Sequence, residues 1–240
     1  MVDGGRPEQG DALLLLGEAV TRIVLLTANL GHFDPIVPPV PQDLPDGVTL
    51  DYVPLTDRDF PPRSRTMTPR LQARIPKCFG WQFAGPADAY IWLDASFTLA
   101  RPDSLAWIWG HLQAADVVTF LHPARQTVKE EADFLRLGVS EGHRYIVPRY
   151  AGELVDEQML VLAEANYPDT VLYGTMLVAY WDRPKVRAML TEWWHHISRY
   201  HAVDQLAFPF VLWKHGCRVA TLGHRPYKNP YVRFVRTHHR

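Results

Sequence analysis

Asp94 closes the run Ala89-Tyr-Ile-Trp-Leu-Asp94, the most apolar strand-like segment of the chain. A carboxylate in that position is costly to bury unless a metal, a hydroxyl or a basic side chain compensates it. Ser96 follows two residues later, so in extended backbone its hydroxyl points the same way. An acid and a hydroxyl so spaced suit a hard divalent cation held by oxygen ligands and substrate phosphates. They equally suit a turn in which Asp94 only caps local backbone.

Five further sets carry groups able to do chemistry. Arg70, Arg74 and Lys77 fall at i, i+4 and i+7, one face of a helical turn, although Pro76 argues against a regular helix there. Three cations just ahead of the Asp94 strand could hold a diphosphate, with arginine giving forked contacts, or form a solvated basic surface. His122 and Arg125, in Leu121-His-Pro-Ala-Arg125 with Glu130 and Glu131 beyond, stand at another strand end. They are candidates for a substrate or phosphate, the plainer reading being a loop histidine packed under proline. Gly174, in Tyr173-Gly-Thr175, marks close approach by a ligand or another backbone, or simple packing. Asp204-Gln205 opens a helix, where Asp204 is either an N-cap or a carboxylate that activates or orients a substrate hydroxyl.

The last set is the basic tail: His224, Arg225, Lys228, Arg233, Arg236, His238, His239 and Arg240. It either folds over a nucleotide diphosphate or ends the chain as a loose basic segment. Of the pair Trp193-Trp194, one ring must leave the helix's apolar face, and near a cleft it would suit stacking on a sugar.

Composition narrows the classes. A chain of 240 residues, 47% hydrophobic and 21% charged, can bury its own core. A formal charge of −1 argues against nucleic acid as partner. The two cysteines, Cys78 and Cys217, lie in no paired motif, which points to a reducing, cytoplasmic setting and away from structural zinc. No run approaches the ~20 apolar residues of a spanning helix, and the N-terminal stretch carries acids rather than a basic flank, unlike a signal peptide. A nucleotide-hydrolase glycine loop, a Gly-x-Ser-x-Gly elbow and a His-Glu-x-x-His helix are all missing from the sequence.

The elements that must position these groups alternate. Strands are expected over 21–28, 48–55, 89–94, 115–121 and 171–180, as continuous apolar runs of a buried parallel sheet. Helices are expected over 103–111 and 128–137 and after Pro184, with Asp182 as cap of the last. Val186, Met189, Leu190, Trp193, Ile197 and Tyr200 form its apolar face. Another helix should run from Asp204 to His215, bent or delayed by Pro209 and stopped by Gly216, with a short strand over 217–222. Residues 1–20 read as a tail with at most a short helix over 11–19, and residues 21–240 as one α/β domain. In such sheets ligands bind beyond the carboxyl ends of the strands.

Taken in order, Arg70-Leu-Gln-Ala-Arg74…Lys77, Tyr90-Ile-Trp-Leu-Asp94-Ala-Ser96, His122-Pro-Ala-Arg125 with Glu130-Glu-Ala132, and Asp204-Gln-Leu-Ala-Phe208 resemble the glycosyltransferase-like domain of plant mucilage-related proteins and their bacterial relatives. That domain was long described as one of unknown function. The resemblance spans roughly residues 22–240. It implies a GT-A-like nucleotide-diphospho-sugar transferase fold, an α/β/α sandwich with a mostly parallel central sheet. It also implies a nucleotide-diphosphate sugar donor, a UDP-sugar favoured, an acceptor of unknown kind, and Mn²⁺ or Mg²⁺. Asp94-Ala-Ser96 stands where such enzymes carry an Asp-x-Asp metal motif, with His224 or His238 completing the metal site, Arg70 to Lys77 sharing the phosphate charge, and Asp204-Gln205 facing the acceptor or reacting carbon. A sugar nucleotidyltransferase and a non-catalytic nucleotide-sugar-binding domain are the alternatives. Thr27-Ala-Asn-Leu-Gly31 contains no lysine, which counts against the nucleotidyltransferase.

Overall fold

A computed structural model describes residues 20–31, 35–200 and 203–235. The helix expected over 11–19, and Arg236, His238, His239 and Arg240 of the tail, lie outside the described residues. In chain order the elements are β1 (Thr21–Asn29), β2 (Val48–Thr56), α1 (Pro69–Cys78), α2 (Gly80–Ala84), β3 (Ala89–Leu93), β4 (Phe97–Leu99), α3 (Ser104–Leu112) and β5 (Val117–Leu121). Then follow α4 (Val128–Ser140), α5 (Val147–Tyr150), α6 (Val155–Glu164), β6 (Tyr173–Trp181), α7 (Pro184–Arg199), a 3-10 turn (Asp204–Leu206), α8 (Phe208–Lys214), β7 (Val219–Thr221) and β8 (Val232–Phe234).

Six strands form the main sheet in the order β2-β1-β3-β6-β5-β7. The pairs β1–β2, β1–β3 and β5–β7 are parallel, whereas β6 runs antiparallel to both β3 and β5. The fold is α/β with a mostly parallel sheet, and the expectation of one more parallel strand over 171–180 is corrected. A strand buried on both faces reads as an apolar run in either direction, so its pattern carries no polarity. Here α4, α5 and α6 return the chain to the edge where β5 ends, and β6 starts from that edge.

Alternation along β3 sends Tyr90 and Trp92 to one face and Ile91 and Leu93 to the other. The first face packs under α1, α4, α6, α7 and α8, with Trp193, Phe208 and Val186 in its core. The second packs under α3 through Leu105 and Ile108, together with Phe97 of β4 and Val232 of β8. Of the face expected on α7, Val186, Met189, Leu190, Trp193 and Ile197 are buried, and Tyr200 is the C-cap. Trp194 lies half-buried with its edge toward Phe79, 6.2 Å between centroids, rather than standing free for a sugar.

Local chemistry explains three departures. Asp182 does not cap α7: Arg183 is the N-cap and makes no side-chain cap bond, while Asp182 receives the Arg187 guanidinium at 2.5 and 2.6 Å. Pro209 delays the last helix, leaving Asp204–Leu206 as a 3-10 turn before α8. Helix α1 runs through Pro76 because the proline removes one ladder bond only two residues before the helix ends. The basic tail is not featureless, since β8 pairs antiparallel with β4 and the Val235 amide donates to the Ser96 carbonyl at 2.8 Å. Among the described residues no helix is long and apolar enough to cross a membrane.

Candidate functional site

The carboxyl ends of β1 and β3 and the start of β6 share one edge of the sheet, and a cleft of about 370 Å³ opens there. Asp94 leaves β3 at that edge. Its amide donates to the Met176 carbonyl of β6 and its carbonyl accepts from Phe97, both at 2.8 Å, so a tight turn presents Asp94 and Ser96 to the cleft. Trp92, two residues back on the same face, donates its indole N–H to Asp94 Oδ1 at 2.7 Å.

Helix α1 supplies the opposing charge. Thr68 caps it by accepting from the Leu71 amide at 3.0 Å, which fixes the phase of the Arg70–Arg74–Lys77 face. The three cations then sit at different depths. Arg70 stays outermost, its guanidinium 5.1 Å over the Tyr150 ring. Arg74 lines the cleft and reaches both acids, with Nη1 3.7 Å from Asp94 Oδ1 and Nε 3.3 Å from Asp204 Oδ2. Lys77 is 0% exposed, its ammonium 2.5 Å from Asp204 Oδ2 and 3.7 Å from Asp94 Oδ1. The faces of Trp92 and Trp193 flank it at 5.9 and 5.4 Å, which compensates part of the cost of its burial. Lys77 therefore cannot touch a ligand as the sequence suggested; it holds Asp94 and Asp204 in place from below.

Asp204 opens the 3-10 turn, and its carbonyl is pinned by the Trp193 indole N–H at 2.8 Å. Burial pushes its carboxyl up. Arg74, Lys77 and a hydrogen bond from the Thr175 hydroxyl more than offset this, so its pKa lies below the usual carboxylate range. A carboxylate held ionised in this way is a weaker proton acceptor, which favours orienting over activating among the two roles the sequence offered. It remains suited to orienting a hydroxyl and to facing developing positive charge. Gln205 lines the cleft beside it.

The other expected residues divide. Arg125 lines the cleft, ion-paired through Nε to Glu131 and lying 4.0 Å over the Phe134 ring. His122 does not line it. Its Nδ1 accepts the Arg125 amide at 2.9 Å, and burial, then the Arg125 charge, push its pKa down to about 4. It is thus a neutral loop clamp at pH 7, not a phosphate-binding cation. The sign for stability is direct: a histidine neutral in the fold but ordinary when unfolded destabilises the fold as pH drops from about 6.5 toward 4. We expect His122→Asn, which keeps an acceptor near Nδ1, to flatten that part of the stability curve by up to about 3 kcal/mol. Urea unfolding at pH 7, 5.5 and 4.5 measures it; an unchanged slope would contradict the assignment.

Gly174 admits no ligand. A Cβ there would lie 3.1 Å from the Met176 sulfur and 3.5 Å from the Leu121 carbonyl, so the close approach is internal, beside the irregularity in the β5–β6 pairing. Lys228 is exposed in the turn that bridges Arg225 and, unlike its neighbour Tyr227, is not among the residues that line the cleft. His224 sits beside Trp107 and Tyr231, 5.9 and 6.0 Å between centroids, and does not line the cleft.

These placements bear on the metal. Asp94 and Ser96 offer one carboxylate and one hydroxyl, and among the described residues no group of three His, Cys, Asp or Glu could hold an ion. Two cations already stand within 3.7 Å of Asp94 Oδ1, where a divalent ion would meet like charge. Among the described residues this donor set does not fit Mn²⁺ or Mg²⁺.

Sequence reasoning passed over Thr175, Tyr145, Tyr150, Tyr227 and Phe234, all of which line the cleft. The period-two relation of Trp92 to Asp94 could have revealed their bond. The partnership of β8 with β4, which brings in Phe234, left no local signal.

No protein-family model matches the chain, and no curated protein matches its sequence. Solved structures do match in chain path. One is a glycosyltransferase involved in the glycosylation of the major capsid of PBCV-1, with a TM-score of 0.42 at 9% identity over 85% of this chain and 82% of that one. Another is mouse xyloside xylosyltransferase 1 in its apo form, at 0.45 and 8% over 84% and 85%. A third, a galactosyltransferase in complex with donor and acceptor sugar analogues, gives 0.35 and 11% over 82% and 72%.

Proposed function

We propose that this chain transfers a glycosyl group from a nucleotide-diphosphate sugar, a UDP-sugar by preference, to a hydroxyl acceptor, as its resemblance to the mucilage-related GT-A domains implies. The observation that carries the reading is the quartet Arg74–Lys77–Asp94–Asp204 at the floor of an open cleft beyond the strand ends. Four ionised groups gathered there cost desolvation that packing alone would avoid, and such clusters concentrate at functional sites.

In the reaction, the C1–O bond to the diphosphate breaks and its electron pair leaves with the phosphate oxygen. A new bond forms from C1 to the acceptor oxygen, whose proton passes to solvent. Arg74, at the cleft surface, faces the charge growing on the leaving diphosphate. Asp204 and Asp94, fixed by Lys77, face the positive charge growing at C1 and orient the acceptor hydroxyl. Ser96 and Gln205 stand beside them as further hydrogen-bonding groups for the donor.

Calorimetry with UDP-glucose, UDP-galactose, UDP-xylose and GDP-mannose, followed by release of free nucleotide with and without acceptor sugars, tests this. Binding and turnover of at least one donor are expected, with turnover in EDTA within a few-fold of that in Mn²⁺. Absence of binding by every nucleotide sugar refutes the reading; binding without turnover across acceptors favours the non-catalytic alternative. Full dependence on Mn²⁺ would refute the charge-based account of the diphosphate site.

A further inference from the structure

Beside the quartet the same cleft is lined by four aromatic rings, Phe134 of α4, Tyr145, Tyr227 and Phe234, of which the last two form one continuous wall. Tyr227 and Phe234 pack with Phe97 into a cluster with centroids 5.1 to 5.6 Å apart, which makes that wall rigid. All four rings are nonetheless exposed, from 38% for Phe234 to 55% for Tyr227. Large apolar groups scattered singly over a surface need no explanation, but four gathered along one polar cleft do.

The Arg125–Glu131 pair lines the cleft with these rings, Glu131 being only 5% exposed. A guanidinium carries about five N–H donors and an ionised carboxylate about four acceptor positions. The one hydrogen bond between these two side chains takes up a fraction of that capacity, with His122 Nε2 3.9 Å from the same Glu131 oxygen. The pair as a whole is neutral. An anionic ligand drawn to Arg125 would be repelled by Glu131, and a cationic one the reverse. What matches is an uncharged ring with adjacent hydroxyls that donate to the carboxylate and accept from the guanidinium, and with an apolar face to lay against tyrosine or phenylalanine. A nucleobase would satisfy the rings but leave the pair poorly matched.

We propose that Arg125, Glu131, Tyr145, Tyr227 and Phe234 form an acceptor subsite for a neutral carbohydrate ring. This rests on the glycosyl-transfer reading, because an acceptor must share the cleft with the donor's C1. Glu131 acts by binding, and touches none of the reacting bonds.

The test is saturation-transfer NMR on the full chain, with and without UDP. The probes are methyl glucoside, galactoside, mannoside and xyloside, with methyl glucuronide and glucose 6-phosphate as charged counterparts. At least one neutral glycoside is expected to bind, and more tightly than either charged sugar. Glu131→Gln, isosteric but uncharged, should weaken it ten-fold or more. Tyr227→Ala should weaken it by a similar factor. In both variants UDP-sugar affinity should stay within two-fold of wild type. Transfer to no glycoside, a preference for the charged sugars, or undiminished binding by both variants overturns the subsite. Failure of the donor reading shows separately, as absence of nucleotide-sugar binding to the unaltered chain.

Discussion

Lys77→Met should lower stability by roughly 3–5 kcal/mol, the cost of stripping one partner from a buried ion pair. The methionine fills much of the same volume between Trp92 and Trp193, so a cavity is not the cause. Asp204 is left buried with Arg74 as its one remaining cation among the described residues, and Asp94 loses one of its two. At about 2–4 °C per kcal/mol for a chain of this size, thermal unfolding should fall by about 10 °C. The pH dependence separates this from simple loosening. In the intact protein the Asp204 pKa is depressed, so its contribution is present above the unfolded carboxylate range near 4 and is lost as pH falls through the folded value. Without Lys77 the upward push of burial is opposed only by Arg74 and the Thr175 hydroxyl, and the loss should begin at higher pH. Guanidinium unfolding of both proteins between pH 4 and 7 measures this. Parallel curves would mean that Lys77 contributes packing and not charge. The double variant Lys77→Met with Asp204→Leu should recover much of the stability while remaining inactive, since no uncompensated charge is then buried.

Asp94→Asn should move binding and turnover in opposite directions. The amide oxygen can still accept from the Trp92 indole, so the turn after β3 keeps its geometry. The charge is gone, and Arg74 and Lys77, both 3.7 Å from Oδ1, are left with an excess positive charge at the cleft. UDP should then bind about ten-fold more tightly, about 1.4 kcal/mol, a plausible share of one unit charge at these distances with strong screening. Turnover should drop on the order of 10²- to 10³-fold, because an acid that faces positive charge in the transition state has been removed. Asp94→Ala should lose turnover at least as severely. Full activity in either variant would remove Asp94 from the chemistry, and weakened UDP binding in Asp94→Asn would mean that the carboxylate contacts the donor directly rather than moderating its neighbours.

The sequence made Asp94 conspicuous because a charge after five apolar strand residues demands a partner, and the Arg70–Arg74–Lys77 face was legible from helical spacing alone. Depth was not legible. Spacing says that three cations share a face, but only packing sends Lys77 beneath two tryptophans while Arg70 stays outside against Tyr150. The polarity of β6 was hidden for a related reason: full burial erases the alternation that would orient a strand. The choice between the two readings of His122 was hidden because its ring is engaged by backbone amides of its own loop, a bond that no pattern of residue types announces. The aromatic wall at Phe234 depends on β4 and β8 meeting across most of the chain, and contacts of that separation leave nothing in a local window.

That distant meeting also orders events in time. Ser96, in the turn that presents Asp94, accepts from the amide of Val235, just past β8. On a ribosome the sheet that positions Asp94 can assemble while the chain is still growing, yet the turn lacks its clasp until the last described strand has emerged. A chain halted before β8 would thus carry a formed sheet and an unfinished site, which delays competence until β8 has emerged.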